Sequence, residues 1–144
     1  MPYRILFVCL GNICRSPAAE GVMRKHRPDL VLDSAGTSGW HVGEAPYHPM
    51  QQAALARGYD LSGLRARQFE VLDFERFDLI LAMDRANLDR IEDLRPAVCT
   101  SPVNLFADYA GQGISEVPDP YYTRDFDGVL DLIEAAAAGL SAAI

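Results

Sequence analysis

The sequence predicts an α/β fold, a three-layer sandwich whose middle layer is a four-stranded parallel sheet. Three observations predict it. Ile5-Leu6-Phe7-Val8-Cys9-Leu10 and Asp78-Leu79-Ile80-Leu81-Ala82-Met83 are short, nearly continuous apolar runs without polar alternation, the pattern of strands buried on both faces. Segments with helical spacing alternate with such runs along the chain, as a parallel sheet covered by helices requires. The first run also passes through one tight loop directly into a helix start, and right-handed crossovers then place the functional face at the strands' C-terminal ends. With 144 residues, 49% of them hydrophobic and 23% charged, the chain reads as a single domain, 1–144. A domain of this size removes roughly 70% of its unfolded surface from water, so its core needs neither disulfides nor a structural metal.

The elements follow in order. After the first strand, Ser16-Pro17 reads as a helix start, with Ser16 at the N-cap and Pro17 at the first helical position, where its missing N–H costs nothing. Ala19 at the third helical position rules out a reciprocal capping box. Ala18, Ala19, Val22 and Met23 form the buried side of that helix, and Lys25, His26 and Arg27 fall in its last turn, where the macrodipole favours cations. Pro28 ends it. Leu30-Val31-Leu32, followed by Asp33-Ser34-Ala35-Gly36, is the second strand. A glycine-rich loop from Gly36 to Gly43, a helix from about Pro46 to Arg57 closed by Gly58, and the basic stretch Arg65-Ala66-Arg67-Gln68 lead to the third strand, Asp78 to Met83. Asp84 caps the next helix, Arg85 to Leu94, and a weaker fourth strand is expected near Val98 to Ser101. The last helix runs from about Phe126 to Leu140, with Val129, Leu130, Ile133, Ala136, Ala137 and Leu140 at helical spacing.

Thirteen Lys and Arg against twenty Asp and Glu give a net charge of -7. That balance excludes general affinity for nucleic acid or for an anionic membrane, so any bound anion must be held by local geometry. No apolar run approaches the roughly 20 residues that span a bilayer, and the expected location is cytoplasmic. The odd cysteine count, Cys9, Cys14 and Cys99, fits a reducing compartment better than a disulfide framework. Cys9 and Cys14 have no second pair with metal-ligand spacing, so no metal is expected.

The chemistry is concentrated in Cys9-Leu10-Gly11-Asn12-Ile13-Cys14-Arg15-Ser16, a Cys-x5-Arg-Ser loop between a buried strand and a helix N-terminus. Converging backbone N–H groups from Leu10 to Arg15, with the unpaired N–H groups of the following helix, make a site for a tetrahedral anion. Gly11 permits a positive φ and Asn12 tolerates one. Arg15 can meet two phosphate oxygens with paired N–H bonds, a geometry that lysine lacks. The positive field of the loop favours the thiolate of Cys9, which in line with a bound phosphorus is a nucleophile. Taken alone, Cys9 could equally be a small buried core residue at a strand end. The preceding strand, Gly11-Asn12 inside the loop and Ser16-Pro17 after it all meet the demands of one anion-binding geometry, and this favours the functional reading.

Val8-Cys9-Leu10-Gly11-Asn12-Ile13-Cys14-Arg15-Ser16-Pro17 resembles the signature of the low-molecular-weight protein tyrosine phosphatases. Asp33-Ser34-Ala35-Gly36-Thr37 and Val117-Pro118-Asp119-Pro120-Tyr121-Tyr122 match the same family, and the resemblance runs through essentially the whole chain. It implies a single flavodoxin-like domain, no metal or other cofactor, and a phosphocysteine intermediate. Expulsion of a phenolate also calls for a carboxylic acid at the ester oxygen. Asp119, on a loop stiffened by Pro118 and Pro120, is that acid by the resemblance; from the residues alone an ordinary turn competes, and so does Asp84, whose position capping explains. The resemblance further implies that Asn12, Ser16 and Ser34 brace the loop by hydrogen bonds. Family members add a histidine to this network, and at the matching place this chain has Leu64. His26, His41 and His48 read as surface residues that do not replace it.

Trp40, Tyr121 and Tyr122, with Leu10 and Ile13, are expected to wall a cleft that stacks on a phenyl ring. Related family members that act on phosphoarginine carry threonine at the place of Ile13 and phenylalanine at that of Tyr121, so both positions favour phosphotyrosine. The expected partner is a tyrosine-phosphorylated protein, a bacterial tyrosine kinase among the candidates, and the expected state is a monomer. Two other readings compete. An arsenate reductase of the same fold relays a disulfide to a cysteine pair near the third strand, where this chain has Met83-Asp84-Arg85; the remaining Cys99 reads as a core thiol in the fourth strand. A non-catalytic phosphotyrosine-binding module would need no Asp119 beside Cys9. Cys14, close to the nucleophile in sequence, suggests a redox pair with Cys9.

Overall fold

The structure, a computed structural model, describes residues 2–144. Four parallel strands, β1 (Arg4–Cys9), β2 (Val31–Gly36), β3 (Leu79–Ala82) and β4 (Val103–Leu105), form one sheet in the order β2-β1-β3-β4. Helices α1 (Arg15–His26), α2 (His48–Leu55), α3 (Asp73–Arg76), α4 (Arg85–Asp93), α5 (Pro120–Thr123) and α6 (Phe126–Ala143) surround it, with a 3-10 turn at Phe106–Ala110. Alternate residues of β1 enter two cores. Ile5, Phe7 and Cys9 pack with α1 and α6, while Leu6 and Val8 pack with Phe74, Ile80 and Ile91 on the other face. The expected three-layer parallel α/β sandwich is therefore what the chain forms. It leaves β1 for β2 on one side and later returns to β3 on the other, so the strand order reverses beside β1. The crevice at such a reversal, at the strands' C-terminal ends, is where this class of sheet binds ligands, and Cys9 is the last residue of β1.

Two expectations are corrected. The first helix begins at Arg15, with Cys14 rather than Ser16 at its N-cap; Ser16 is inside the first turn and fully buried, and its hydroxyl is used sideways rather than on the helix end. Pro17 still falls among the first N–H groups, where none has an intrahelical acceptor. The fourth strand is Val103–Leu105, not Val98 to Ser101. The Cys99 N–H is taken by a turn to Pro96 O, Val98 is exposed, and sheet bonding resumes only where Pro102 O accepts from Ile80 N. Cys99 thus lies outside the strand, packed partly buried against the core on the opposite face of the sheet from Cys9. Of the two loop residues able to take a positive φ, Asn12 does so, at 58°. At Gly11 a Cβ would stand 3.0 Å from His41 Cδ2, so the imidazole would have to shift by a few tenths of an ångström to admit one.

The remaining elements match with shifted ends. The second strand extends through Asp33-Ser34-Ala35-Gly36, α2 is shorter than its pattern at both ends, and α6 continues to Ala143. All six residues expected on the inner face of α6 are buried. Asp84 caps α4 by accepting from the Asn87 N–H at 2.8 Å. Among the described residues, no helix is long and apolar enough to cross a membrane.

Candidate active site

The loop after β1 is held from outside before it can hold anything. Thr37 N–H donates to Cys9 O and Ser38 N–H to Leu10 O, each at 2.9 Å, and the Ser38 hydroxyl also donates to Leu10 O at 3.0 Å. The loop lies so close to β2 that a Cβ on Gly36 would stand 2.8 Å from Leu10 O, a backbone atom that cannot step aside. On its far side Ile13 O accepts from Tyr47 N–H at 2.7 Å.

From within, the loop is braced by Asn12. Its Nδ2 donates to Ser16 Oγ (2.7 Å) and to Ser34 Oγ (3.0 Å), and its Oδ1 accepts from the Arg67 N–H (3.0 Å). Three polar groups fixing one amide justify the left-handed backbone, a conformation that a non-glycine residue keeps only when its surroundings over-determine it. Ser16 Oγ lies 3.0 Å from Cys9 Sγ, and the Asn12 N–H donates to the same sulfur at 3.2 Å. Asn12, Ser16 and Ser34 therefore stand together as one network around the Cys9 sulfur. Leu64 packs partly buried against the larger core, and the amide oxygen of Asn12 finds its donor in the backbone of Arg67 instead.

Cys9, Leu10, Gly11, Ile13, Cys14 and Arg15 line a cavity of about 230 Å³ together with Trp40, His41, Asp119, Tyr121 and Tyr122. Of the residues expected to hold phosphate, only Asn12 is missing from that lining, because its side chain turns inward to the network. The five expected wall residues all line it. Tyr121 stacks on Tyr47 with ring centroids 5.1 Å apart, and Tyr122 meets Tyr121 edge-on at 5.5 Å. Arg124 tightens that wall, with its guanidinium 5.4 Å over the Tyr47 ring and a hydrogen bond to the Tyr47 hydroxyl.

Arg15 is 3% exposed, and its Nη1 donates to Asp84 Oδ2 at 2.7 Å and to Val117 O at 3.0 Å. Its Nη2 lies 3.5 Å from Asp119 Oδ2. Burial works against the guanidinium charge, but Cys9, Asp84 and Asp119 outweigh it and hold the Arg15 pKa above its ordinary value. A buried cation so fixed has lost its rotamer freedom before any ligand arrives. Asp119 is positioned by three neighbours: Val117 N–H donates to Met83 O at the end of β3, Pro120 starts α5, and the Asp119 carboxylate accepts from Tyr121 N–H at 3.1 Å. Cys14, only 4% exposed, has its thiol pushed up to about 12, first by burial and then by the charges of Cys9 and Asp119. Its thiol is therefore held in the neutral form.

Sequence reasoning missed two residues here. Asp84 was explained fully by capping, yet one carboxylate oxygen caps α4 and the other fixes Arg15; the signal was its place directly after a strand, at the sheet edge where ligands bind. His41 was read as a surface residue but lines the cavity, oriented by a 2.9 Å contact with Glu44; a lone histidine in a glycine-rich loop carries no sequence signal. Among the described residues, no group of three or more His, Cys, Asp or Glu stands close enough to hold a metal ion.

The chain as a whole is similar to known proteins. Solved structures similar to the chain include YfkJ from Bacillus subtilis (TM-score 0.94, 37% identity, covering 100% of this chain and 95% of that one). Another is Vibrio vulnificus Wzb in complex with benzylphosphonate (TM-score 0.89, 27% identity, 99% of each chain). A low molecular weight protein-tyrosine-phosphatase from Streptomyces coelicolor is 45% identical, over 100% of this chain and 94% of its own length. Residues 4–144 match the family described as low molecular weight phosphotyrosine protein phosphatase. The loop, the parallel sheet that carries it and the whole-length matches agree, and the chain belongs to that family, an enzyme of the protein-tyrosine-phosphatase class.

Proposed function

We propose that the enzyme hydrolyses phosphotyrosine and simple aryl phosphates through a phosphocysteine on Cys9. The observation that carries the reading is that Cys9, Arg15 and Asp119 line one cavity, with Arg15 fixed between the carboxylates of Asp84 and Asp119. The loop amides of Leu10 to Arg15 and the Arg15 fork neutralise the phosphoryl oxygens, a stabilisation aimed at charge that develops in the transition state. The Cys9 thiolate attacks phosphorus from below, and Asp119 gives its proton to the departing phenolate oxygen. In the second half, Asp119 takes a proton from the water that releases phosphate from the sulfur. Leu10, Ile13, Trp40, Tyr121 and Tyr122 supply apolar walls for a phenyl ring, each aromatic contact adding about 1 kcal/mol. The benzylphosphonate complex of Wzb supports an aromatic ring next to the phosphorus group. The partner is then a tyrosine-phosphorylated protein, with a tyrosine kinase as one candidate, and the enzyme acts as a monomer in the cytoplasm.

The role of Asp119 is tested by leaving group. Asp119→Ala is expected to lower kcat on phenyl phosphate by roughly 10²–10³-fold. On p-nitrophenyl phosphate the loss is smaller, because a better leaving group needs less proton donation. Equal losses on both substrates would assign Asp119 a structural role only.

Cys9 and Cys14 form a redox pair in the same reading. Peroxide converts the Cys9 thiolate to a sulfenic acid, and the Cys14 thiol attacks that sulfur, expelling water and closing a disulfide. Burial and the neighbouring charges leave the Cys14 thiol almost wholly protonated at neutral pH. Oxidation of Cys9 removes the like charge that contributes to this, although burial remains. Closure is therefore expected to be slow near neutrality and faster at alkaline pH. Mass spectrometry of peroxide-treated protein checks it; Cys9 sulfonic acid with no Cys9–Cys14 cross-link would refute the pairing.

A further inference from the structure

The network around Asn12 does not end at Ser34. The Ser34 hydroxyl donates to Glu20 Oε1 at 2.7 Å, and Glu20 Oε2 accepts from Arg24 Nη2 at 2.6 Å. Glu20 is 2% exposed, whereas the Arg24 side chain reaches solvent with about half its surface. A carboxylate buried to that degree costs free energy unless it is paired, and a core position on α1 would be served better by an apolar residue if stability were its only purpose. The chain of contacts Arg24, Glu20, Ser34, Asn12, Ser16, Cys9 runs without a gap from the surface to the nucleophile.

We propose that the Glu20–Arg24 pair sets the polarity of this hydrogen-bond chain, so that both are positioning residues for the Cys9 sulfur. The reasoning is a matter of counting protons. An ionised carboxylate only accepts, so it draws the Ser34 proton to itself and leaves the Ser34 lone pairs facing Asn12. Asn12 must then present its NH₂ group to both serines, an orientation also imposed by the Arg67 N–H on its oxygen. Ser16, having accepted from Asn12, has one proton and two acceptors for it, the Cys9 sulfur at 3.0 Å and Ala35 O at 3.4 Å; the charge of a thiolate and the shorter approach direct that proton to the sulfur. Arg24, 2.6 Å from the other carboxylate oxygen, favours the ionised form of this acceptor. Burial pushes the Glu20 carboxyl up and Asp33 on β2 adds to this, while Ser34 and Arg24 offset only part of it, so the group stays above its ordinary value and its charge depends on the 2.6 Å contact with Arg24; Asp33 is itself paired with Arg67. The inference rests on the phosphatase reading for its consequence in turnover, but its geometry does not.

Glu20→Gln tests it. Its amide turns oxygen towards Arg24 and N–H towards Ser34, so the Ser34 proton is driven back against Asn12. Alkylation of Cys9 by iodoacetamide, followed on the Cys9 peptide by mass spectrometry across pH, reads the thiolate without requiring turnover. Its midpoint is expected to rise by about one pH unit, the scale of one lost hydrogen bond to a charged group. Through-space electrostatics alone predict the opposite sign, because removing a nearby negative charge favours the thiolate. A midpoint that stays or falls overturns the proposal.

Arg24→Met and Arg24→Lys provide a second arm at a half-exposed position that tolerates substitution. Losing Arg24 lets the Glu20 carboxyl rise further, so its charge is lost at a higher pH, and the acidic limb of the kcat/KM profile on an aryl phosphate moves up. Arg24→Lys restores the limb. Superimposable profiles for all three proteins overturn the role of Arg24. Absence of hydrolysis in the unmodified enzyme would refute the phosphatase reading and leave the alkylation result to decide the network.

Discussion

Cys9→Ser is expected to abolish hydrolysis of aryl phosphates, with kcat reduced at least about 10⁴-fold, while the phosphate site remains formed. Serine's hydroxyl is far harder to ionise than a thiol, and no histidine stands in hydrogen-bond contact with Cys9 to act as its base. The nearest hydroxyl, Ser16 Oγ, is occupied by Asn12 and by the sulfur itself. Every other feature that holds phosphate survives: the bracing of the loop by Gly36, Thr37 and Ser38, the Asn12 network, and Arg15 fixed by Asp84 and Val117. The variant is therefore expected to bind a tyrosine-phosphorylated protein without turning it over, and to capture it in a pull-down from lysate that free phosphate competes away. Initial rates on p-nitrophenyl phosphate measure the loss, and rapid acid quench of the unmodified enzyme, followed by mass spectrometry, looks for phosphate on the Cys9 peptide. Turnover by Cys9→Ser within tenfold of the unmodified enzyme, with chelator present, would sink the phosphocysteine mechanism.

The fold was legible because its strongest signals are local. Buried parallel strands write themselves as unbroken apolar runs, and Ile5 to Leu10 and Asp78 to Met83 are too short for a buried helix, the first ending at Gly11-Asn12. The fourth strand was misplaced because Val98 to Ser101 has strand-like composition, yet the Pro96 turn claims the Cys99 N–H, and propensity cannot see who takes a backbone donor. Ser16 shows the same limit at the site. Serine before proline has the local pattern of a cap, while its real partners, Asn12 side chain, Cys9 sulfur and Ala35 O, meet it through the tertiary fold. Glu20 was invisible for a related reason. On a helical wheel it sits beside Arg24 as an ordinary surface pair at i, i+4, and only the fold of α1 over β2 buries it against Ser34. Contacts made within one loop leave a local pattern in the sequence, whereas pairings such as Glu20 with Ser34 or Arg15 with Asp84 leave none until the fold brings the segments together.

The acidic balance of the whole chain, -7, sharpens what Arg15 must do. Two carboxylates, Asp84 and Asp119, already face it, so a phosphate dianion entering the cavity meets a cation whose charge is partly engaged. The backbone amides of the loop and the α1 N-terminus must therefore supply much of the attraction, and the guanidinium contributes direction as much as charge. Its two nitrogens are divided: Nη1 is tied to Asp84 and Val117 O, and Nη2 is turned towards the cavity and Asp119.

Arg15→Lys is consequently expected to be nearly as damaging as Arg15→Ala, which separates geometry from charge. Arg15→Ala removes the fork that follows the phosphoryl group into its transition state, and kcat/KM should fall by about 10³–10⁴-fold. Lysine restores the charge at a single point, and one ammonium cannot hold Asp84 and Val117 O while presenting a planar pair of N–H groups to phosphate. A recovery of no more than about tenfold over alanine is expected, about 1.4 kcal/mol of transition-state stabilisation. The two variants differ in stability as well. Arg15→Ala leaves Asp84 half buried without its partner, and loss of one member of a buried pair costs about 3 kcal/mol, so its thermal midpoint should fall well below that of Arg15→Lys. Pairing Arg15→Ala with Asp84→Asn should return part of that stability, because the amide still caps α4 at Asn87 N–H without stranding a charge. Activity should not return with it. Recovery of activity in the double variant, or near-normal kcat/KM in Arg15→Lys, would mean that charge alone suffices at this position and that the fixed fork is incidental.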